Sequence, residues 1–219
     1  MRINKEQLEK AAAFLCDIDK DLALVIEREQ TCRLQIKNET SIYHALLKAI
    51  AGQQLHAKAA EAILSRLKSY NDGELPTPEQ LLSHDELKLR ACGFSSRKIT
   101  SLYHLSQATI KGMVPTYDQA QLLSDQELID LLTQLPGIGP WTVEMVLIFT
   151  LGRLDVMPIN DFGIREGWKI CKGLTTQPTP KQLKELTRCW SPYRSVGAWY
   201  LWRAAEQKKP VNKQNPLTL

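Results

Sequence analysis

The chain lacks any long hydrophobic run: no stretch approaches the roughly 18 uncharged apolar residues that a membrane-spanning helix needs. Its opening stretch, MRINKEQLEKAAAFLCDIDK, lacks the apolar core and small-residue cleavage site of a secretory signal, so an intracellular location is expected. That means the cytoplasm or nucleoid of a bacterium, or the nucleus of a eukaryote. Cysteine is sparse and scattered at positions 16, 32, 92, 171 and 189, with no C-x-x-C pair. This argues against a disulfide framework and a zinc site, and predicts reduced, mostly buried thiols. Alternating apolar and polar strands, internal repeats and low-complexity blocks are also missing. Charge of one sign is only mildly in excess, +4 from 28 basic and 24 acidic residues, a weak pointer to an anionic partner that many housekeeping proteins share.

What the chain has is helix punctuation. Asn4 with Gln7, Thr77 with Gln80, Ser83 with Glu86, Ser124 with Glu127 and Thr179 with Gln182 each fit the pattern of a polar N-cap followed three positions on by Glu or Gln. Thr77 and Thr179 also precede prolines, which are tolerated at the first helical position. The reading is an all-α fold, with helices over about 4–15, 19–29, 41–51, 55–70, 78–82, 84–91, 95–110, 118–123, 125–134, 140–151, 161–172, 180–189 and 192–206. Only DLALVIERE (21–29) could be a strand, and its length and flanks favour helix. A length of 219 residues suffices for one well-buried domain or two small lobes. The polar, proline-bearing 207–219 reads as a flexible tail.

The most informative stretch is LPGIGPWTVEM, 135–145, between two helical segments. Gly137 and Gly139 permit positive φ and remove side chains from the turn, so backbone N–H groups can approach an anion where a helix begins. A plain helix–helix turn can carry P-G-x-G as well. Downstream, DVMPINDFGIREGWK places Asp161 behind a proline at an apparent N-cap, twenty residues after Trp141. An isolated N-cap aspartate is most often only a cap.

Together, the hairpin, the spacing and the P-x-N-D-F-G context resemble the helix-hairpin-helix (HhH-GPD) superfamily of DNA glycosylases. Within it the chain is most similar to the alkylpurine, or 3-methyladenine, DNA glycosylases, through AIAGQQLHAKAAEAI (49–63), CGFSSRKITSL (92–102) and CWSPYRSVGAWYLWRA (189–204). The resemblance covers most of residues 40–205. It implies the compact all-helical branch: two helical lobes with a DNA-binding cleft between them. One lobe is expected over about 44–152, ending in the helix-hairpin-helix at 125–151, and the other over about 1–43 plus 153–206.

Asp161 then matches the catalytic aspartate that stabilises an oxocarbenium-like sugar. Trp141 occupies the place of the nucleophilic lysine in lyase-competent relatives, so base removal without strand scission is implied unless Lys169 or Lys172 substitutes. Trp141, Trp202 and Met145 match pocket positions for a flipped, cationic base, whereas Trp199 is assigned to the core. Leu55 matches the wedge that fills the gap in the duplex, with Gln53, Gln54 and His56 beside it at the minor groove, all exposed by Gly52. Gly137 and Gly139, together with Ser95, Arg97 and Lys98, are the implied phosphate contacts. The main-chain carbonyls of Thr133, Leu135 and Ile138 match a monovalent cation site for Na+ or K+. No other cofactor is expected, and Cys171 and Cys189 are too few for an iron–sulfur cluster.

The implied activity is hydrolysis of the N-glycosidic bond of alkylated purines of the 3-methyladenine and 7-methylguanine type in double-stranded DNA. Base flipping would expose the lesion, and the reaction would begin base excision repair. The expected partner is alkylated duplex DNA, with a monomer acting alone and without an obligate protein partner or membrane. The alternative is a non-catalytic helix-hairpin-helix module that recognises lesions, and a glycosylase-lyase for oxidised bases is a third reading.

Overall fold

The computed structural model describes residues 4–36, 41–55 and 57–207. His56 and most of the 207–219 tail lie outside these. Among the described residues every regular element is helical. The first seven are α1 (Lys5–Ile18), α2 (Lys20–Glu29), α3 (Ile42–Gly52), α4 (Ala57–Ser69), α5 (Pro78–Ser83), α6 (Glu86–Cys92) and α7 (Ser96–Ile110). There follow α8 (Tyr117–Leu122), α9 (Asp125–Leu132), α10 (Pro140–Phe149), α11 (Phe162–Cys171), α12 (Pro180–Leu186) and α13 (Arg194–Gln207).

The caps explain why the helices start where they do. Asn4, Thr77, Ser124 and Thr179 each accept the amide three residues on, while the Gln or Glu there reaches back to the cap amide. Thr116 with Gln119 forms a further box that the sequence reading missed. Ser83 with Glu86 does not form one. Ser83 ends α5 with its hydroxyl donating to the Gln80 carbonyl, and Asp85 caps α6 by accepting the Lys88 amide. DLALVIERE is helical, as α2, with Asp19 as its cap.

The chain forms two compact units. The first runs from residue 35 to 153 and holds α3 to α10. The second combines the described residues up to Leu34 with those from Leu154 onward. The first changeover thus lies at 34/35, ahead of the 43/44 suggested by the sequence. In the first unit α3 packs against α4, α7 and α10 through Ile42, Leu46, Leu47 and Ile50, all buried. Helix α10 buries Val143, Val146, Leu147 and Ile148, as expected of a helix apolar nearly all round. At the end of α8 the Arg153 guanidinium donates to the carbonyls of Ala120, Gln121 and Leu123 and pairs with Asp125 at 3.4 Å, satisfying groups the helix leaves open.

In the second unit α13 packs on α11, α2 and α1. Gly167 makes the α11–α13 contact close: a Cβ there would lie 1.9 Å from the Leu201 carbonyl oxygen. Buried Asp19 ties three segments together, accepting from the Leu22 amide, from Lys172 Nζ at 2.5 Å and from Trp190 Nε1 at 3.1 Å. Lys172 also reaches Asp21 at 2.9 Å and lies over the Trp168 ring. All five cysteines are free, with Cys32 and Cys92 buried and Cys189 exposed. No helix among the described residues is long and apolar enough to cross a membrane.

Candidate active site

In the first unit, α3 stops at Gly52 and the chain turns sharply. Gln54 takes the left-handed region at φ +58, the Leu55 amide donates to the Gly52 carbonyl at 3.1 Å, and the Leu55 side chain is 43% exposed. A large aliphatic side chain presented on a tight turn suits a wedge. The two neighbours expected at DNA have inward roles. Gln53 Nε2 donates to the Gly137 carbonyl and to Thr142 Oγ1, each at 3.0 Å. Lys98 Nζ donates to the Ala51 and Gln53 carbonyls, each at 2.9 Å. Burial pushes the Lys98 pKa below the ordinary lysine value.

The hairpin spans 133–139 between α9 and α10. Gly137 has φ +83, and a Cβ there would fall 1.8 Å from Ser101 Oγ, so both backbone and packing demand glycine. Gly139 departs from expectation: its φ is −101, extended backbone open to any residue. Its value lies elsewhere. It is the N-cap of α10, makes no side-chain cap, and a Cβ there would meet nothing within 4 Å, so the helix start is left open. Among the described residues no acceptor takes the Gly137 or Gly139 amide. Two unpaired donors beside the positive end of a ten-residue helix are suited to receive an anion. Trp141 and Met145 share one face of α10, four residues apart and half-buried.

At the start of α7, Ser95 is the N-cap and accepts the Lys98 amide, and the Arg97 side chain is exposed. Of the three proposed cation ligands, the Leu135 carbonyl accepts the Ile138 amide at 3.1 Å, while no amide bonds to the carbonyls of Thr133 and Ile138 among the described residues. No three His, Cys, Asp or Glu side chains gather among the described residues in a way that could hold a metal ion.

In the second unit Asp161 is the N-cap of α11. Its Oδ1 accepts the Ile164 amide at 2.8 Å and Trp202 Nε1 at 3.0 Å, a link across 41 residues that no local pattern discloses. Gly163 leaves room for it, since a Cβ there would sit 3.1 Å from both Asp161 Oδ1 and Trp202 Cδ1. Trp202 is half-buried and Trp199 is 9% exposed, in the core as expected, with the Arg203 guanidinium over its ring. Phe162, to which the sequence reading gave no role, follows Asp161 in the chain and is 68% exposed. The amines that could replace an absent nucleophilic lysine are engaged: Lys169 Nζ pairs with Glu166 at 2.6 Å, and Lys172 is held by Asp19 and Asp21.

The model of the HhH-GPD superfamily of base excision DNA repair proteins matches residues 47–192, two-thirds of the chain, including both the hairpin and Asp161. The chain belongs to this superfamily. It is 44% identical to DNA-3-methyladenine glycosylase 1 of Schizosaccharomyces pombe over 211 residues, 93% of this chain and 92% of that one. It is 32% identical to the alkylbase DNA glycosidase-like protein mag2 of the same yeast, over 89% and 92% of the two chains. Among solved structures, the S. pombe 3-methyladenine DNA glycosylase in complex with abasic DNA superposes with a TM-score of 0.87 at 43% identity, covering 90% of this chain and 97% of that one. A DNA-3-methyladenine glycosidase from Bacillus halodurans gives 0.71 at 34%, covering 88% and 87%.

Proposed function

We propose that the chain is a DNA glycosylase that hydrolyses the N-glycosidic bond of alkylated purines in double-stranded DNA, opening base excision repair. The observation that carries this reading is Asp161, a carboxylate at a helix N-terminus held by the Ile164 amide and the Trp202 indole, in a chain that aligns with 3-methyladenine glycosylases over almost its full length.

The chemistry follows from charge. A purine alkylated at a ring nitrogen is already cationic and leaves readily, so little acid catalysis is needed at the base. As the C1′–N bond lengthens, positive charge builds on the sugar, and a fixed carboxylate stabilises it and orients water toward C1′. Water adds at C1′, its proton passes to solvent, and the base departs with the bonding electron pair. The base must first be flipped from the stack; Leu55 fills the gap, and the indole of Trp202, tied to Asp161 within its own unit, attracts the cationic ring at about 0.5–2 kcal/mol.

The reaction ends with an abasic site on an intact strand. Trp141 stands where lyase relatives have their amine. Lys172 is a poor substitute: burial disfavours its charge, but hydrogen bonds and charge from Asp19 and Asp21 outweigh this and hold its pKa above the ordinary lysine value, the opposite of an activated nucleophile. The hairpin amides of Gly137 and Gly139 and the exposed Arg97 take the strand's phosphates. A monovalent cation on the carbonyls of Thr133, Leu135 and Ile138 fits this donor set, two of the three carbonyls being without an amide partner, and would add positive charge next to the phosphate.

The test is direct. Methylated duplex DNA incubated with the purified protein releases free 3-methyladenine or 7-methylguanine, and strand breaks appear only after heat or alkali. No covalent adduct forms with borohydride. A trapped adduct would overturn the monofunctional assignment, and absence of base release would overturn the glycosylase reading. A single chain forms the working unit, which sedimentation with and without DNA will check.

A further inference from the structure

The turn that carries Leu55 is costly to hold. Gln54, which is not glycine, sits in the left-handed region at about 1–2 kcal/mol, and such conformations persist only where surroundings over-determine them. Here the surroundings come from two places. Helix α7 supplies the Lys98 ammonium, half-buried and donating to the carbonyls of Ala51 and Gln53 on either side of Gly52. The same helix supplies Ser101, buried, against which the side-chain-free Gly137 packs. One helix therefore backs both the Leu55 turn and the hairpin. The Gln53 amide closes the triangle, one nitrogen donating to the Gly137 carbonyl in the hairpin and to Thr142 Oγ1 in the first turn of α10.

We propose that Gln53 and Lys98 are positioning residues that clamp the Leu55 turn to the hairpin, so that gripping the strand and wedging the duplex become one coupled event. This rests on the roles given above to Leu55 and to the hairpin amides. The Gln53 carboxamide is turned to the hairpin and the first turn of α10 and touches no reacting group. It acts through Leu55, by fixing its height above the turn, with the Gly137 carbonyl and the Thr142 hydroxyl as the anchor points. A wedge on an unclamped turn would yield sideways when pressed into stacked bases, whereas a clamped one passes the load to the phosphate grip.

The experiment is a double-variant cycle on the full chain with duplex DNA containing 7-methylguanine. Gln53→Met keeps the volume and removes both donor bonds. It should slow single-turnover base release, and the fluorescence rise of a neighbouring 2-aminopurine that reports unstacking, each by about ten-fold, the equivalent of one to two net hydrogen bonds. Thr142→Val, which removes one acceptor only, should give a loss of a few fold and guards against a Gln53 variant that fails to fold. The decisive result is the combination with Leu55→Ala: the double variant should be no slower than Leu55→Ala alone, because a clamp has nothing to act on once the wedge is gone. If Gln53→Met matches wild type, or its loss multiplies with that of Leu55→Ala, the clamp is overturned while the wedge stands. If Leu55→Ala itself unstacks and releases base at the wild-type rate, the wedge reading falls, and the clamp with it.

Discussion

At the scale of single residues, Asp161 separates cap from chemistry. Asparagine caps a helix about as well as aspartate and keeps an oxygen for the Ile164 amide and the Trp202 indole, but carries no charge. Asp161→Asn should therefore melt within a degree or two of wild type while base release falls at least about 100-fold, the range seen when a charge-stabilising group is removed. Retained release in a single-turnover assay would refute the assignment. Gly137 makes the contrasting prediction, because its constraint is steric. Alanine there would occupy a left-handed φ and collide with Ser101, so unfolding free energy should drop by about 2–5 kcal/mol, read from denaturant midpoints. The sequence points to both positions, but for Gly139 it misleads: a P-G-x-G turn does not tell which glycine needs positive φ. Nor does it tell where long polar side chains go. Gln53 and Lys98 read as DNA contacts through the family resemblance, the one beside the wedge and the other in the stretch CGFSSRKITSL, yet the partners they have here are main-chain carbonyls and a threonine hydroxyl, which leave no pattern at any spacing.

At the scale of elements, helix starts were legible because a cap is a local hydrogen bond between residues three apart. The errors are local too, as with Ser83, outcompeted by Asp85 two residues on. What holds helices to one another was not legible, and it is testable. Asp155 accepts the Arg194 guanidinium through both oxygens, at 2.7 and 2.9 Å, and the Ser191 hydroxyl at 2.8 Å. Burial alone would raise the Asp155 carboxyl, but these bonds outweigh it and hold its pKa below the ordinary 3.8. A carboxyl whose pKa falls on folding binds protons more readily when unfolded. Its stabilisation is thus complete above the unfolded value and disappears as pH drops through the folded one. Asp155→Asn should be less stable than wild type at neutral pH, with the gap in urea midpoint closing below about pH 4. Around Asp19, Lys172→Met leaves a buried carboxylate without its cation and should cost about 3 kcal/mol, measured in the same way.

At the scale of the whole molecule, duplex binding should weaken with salt, each phosphate contact adding about 0.9 to the slope of log affinity against log salt. Arg97→Ala should lower that slope by about one and weaken all duplexes alike, damaged or not. Replacing potassium by a bulky quaternary ammonium at equal ionic strength should weaken binding further if the hairpin carbonyls hold a cation. The division into two units has a temporal consequence. The hairpin, the wedge turn and their clamp come from one continuous stretch, whereas the unit bearing Asp161 is assembled from the two ends of the described chain. During synthesis α1 and α2 leave the ribosome before α11 and α13 and must wait for them, so Asp161 gains its indole partner only when Trp202 has emerged. A nascent or truncated chain can thus own the hairpin and the Leu55 turn, the parts proposed to grip DNA, and still lack the indole partner of Asp161. The ability to excise a base thus comes late, after the parts that hold the strand.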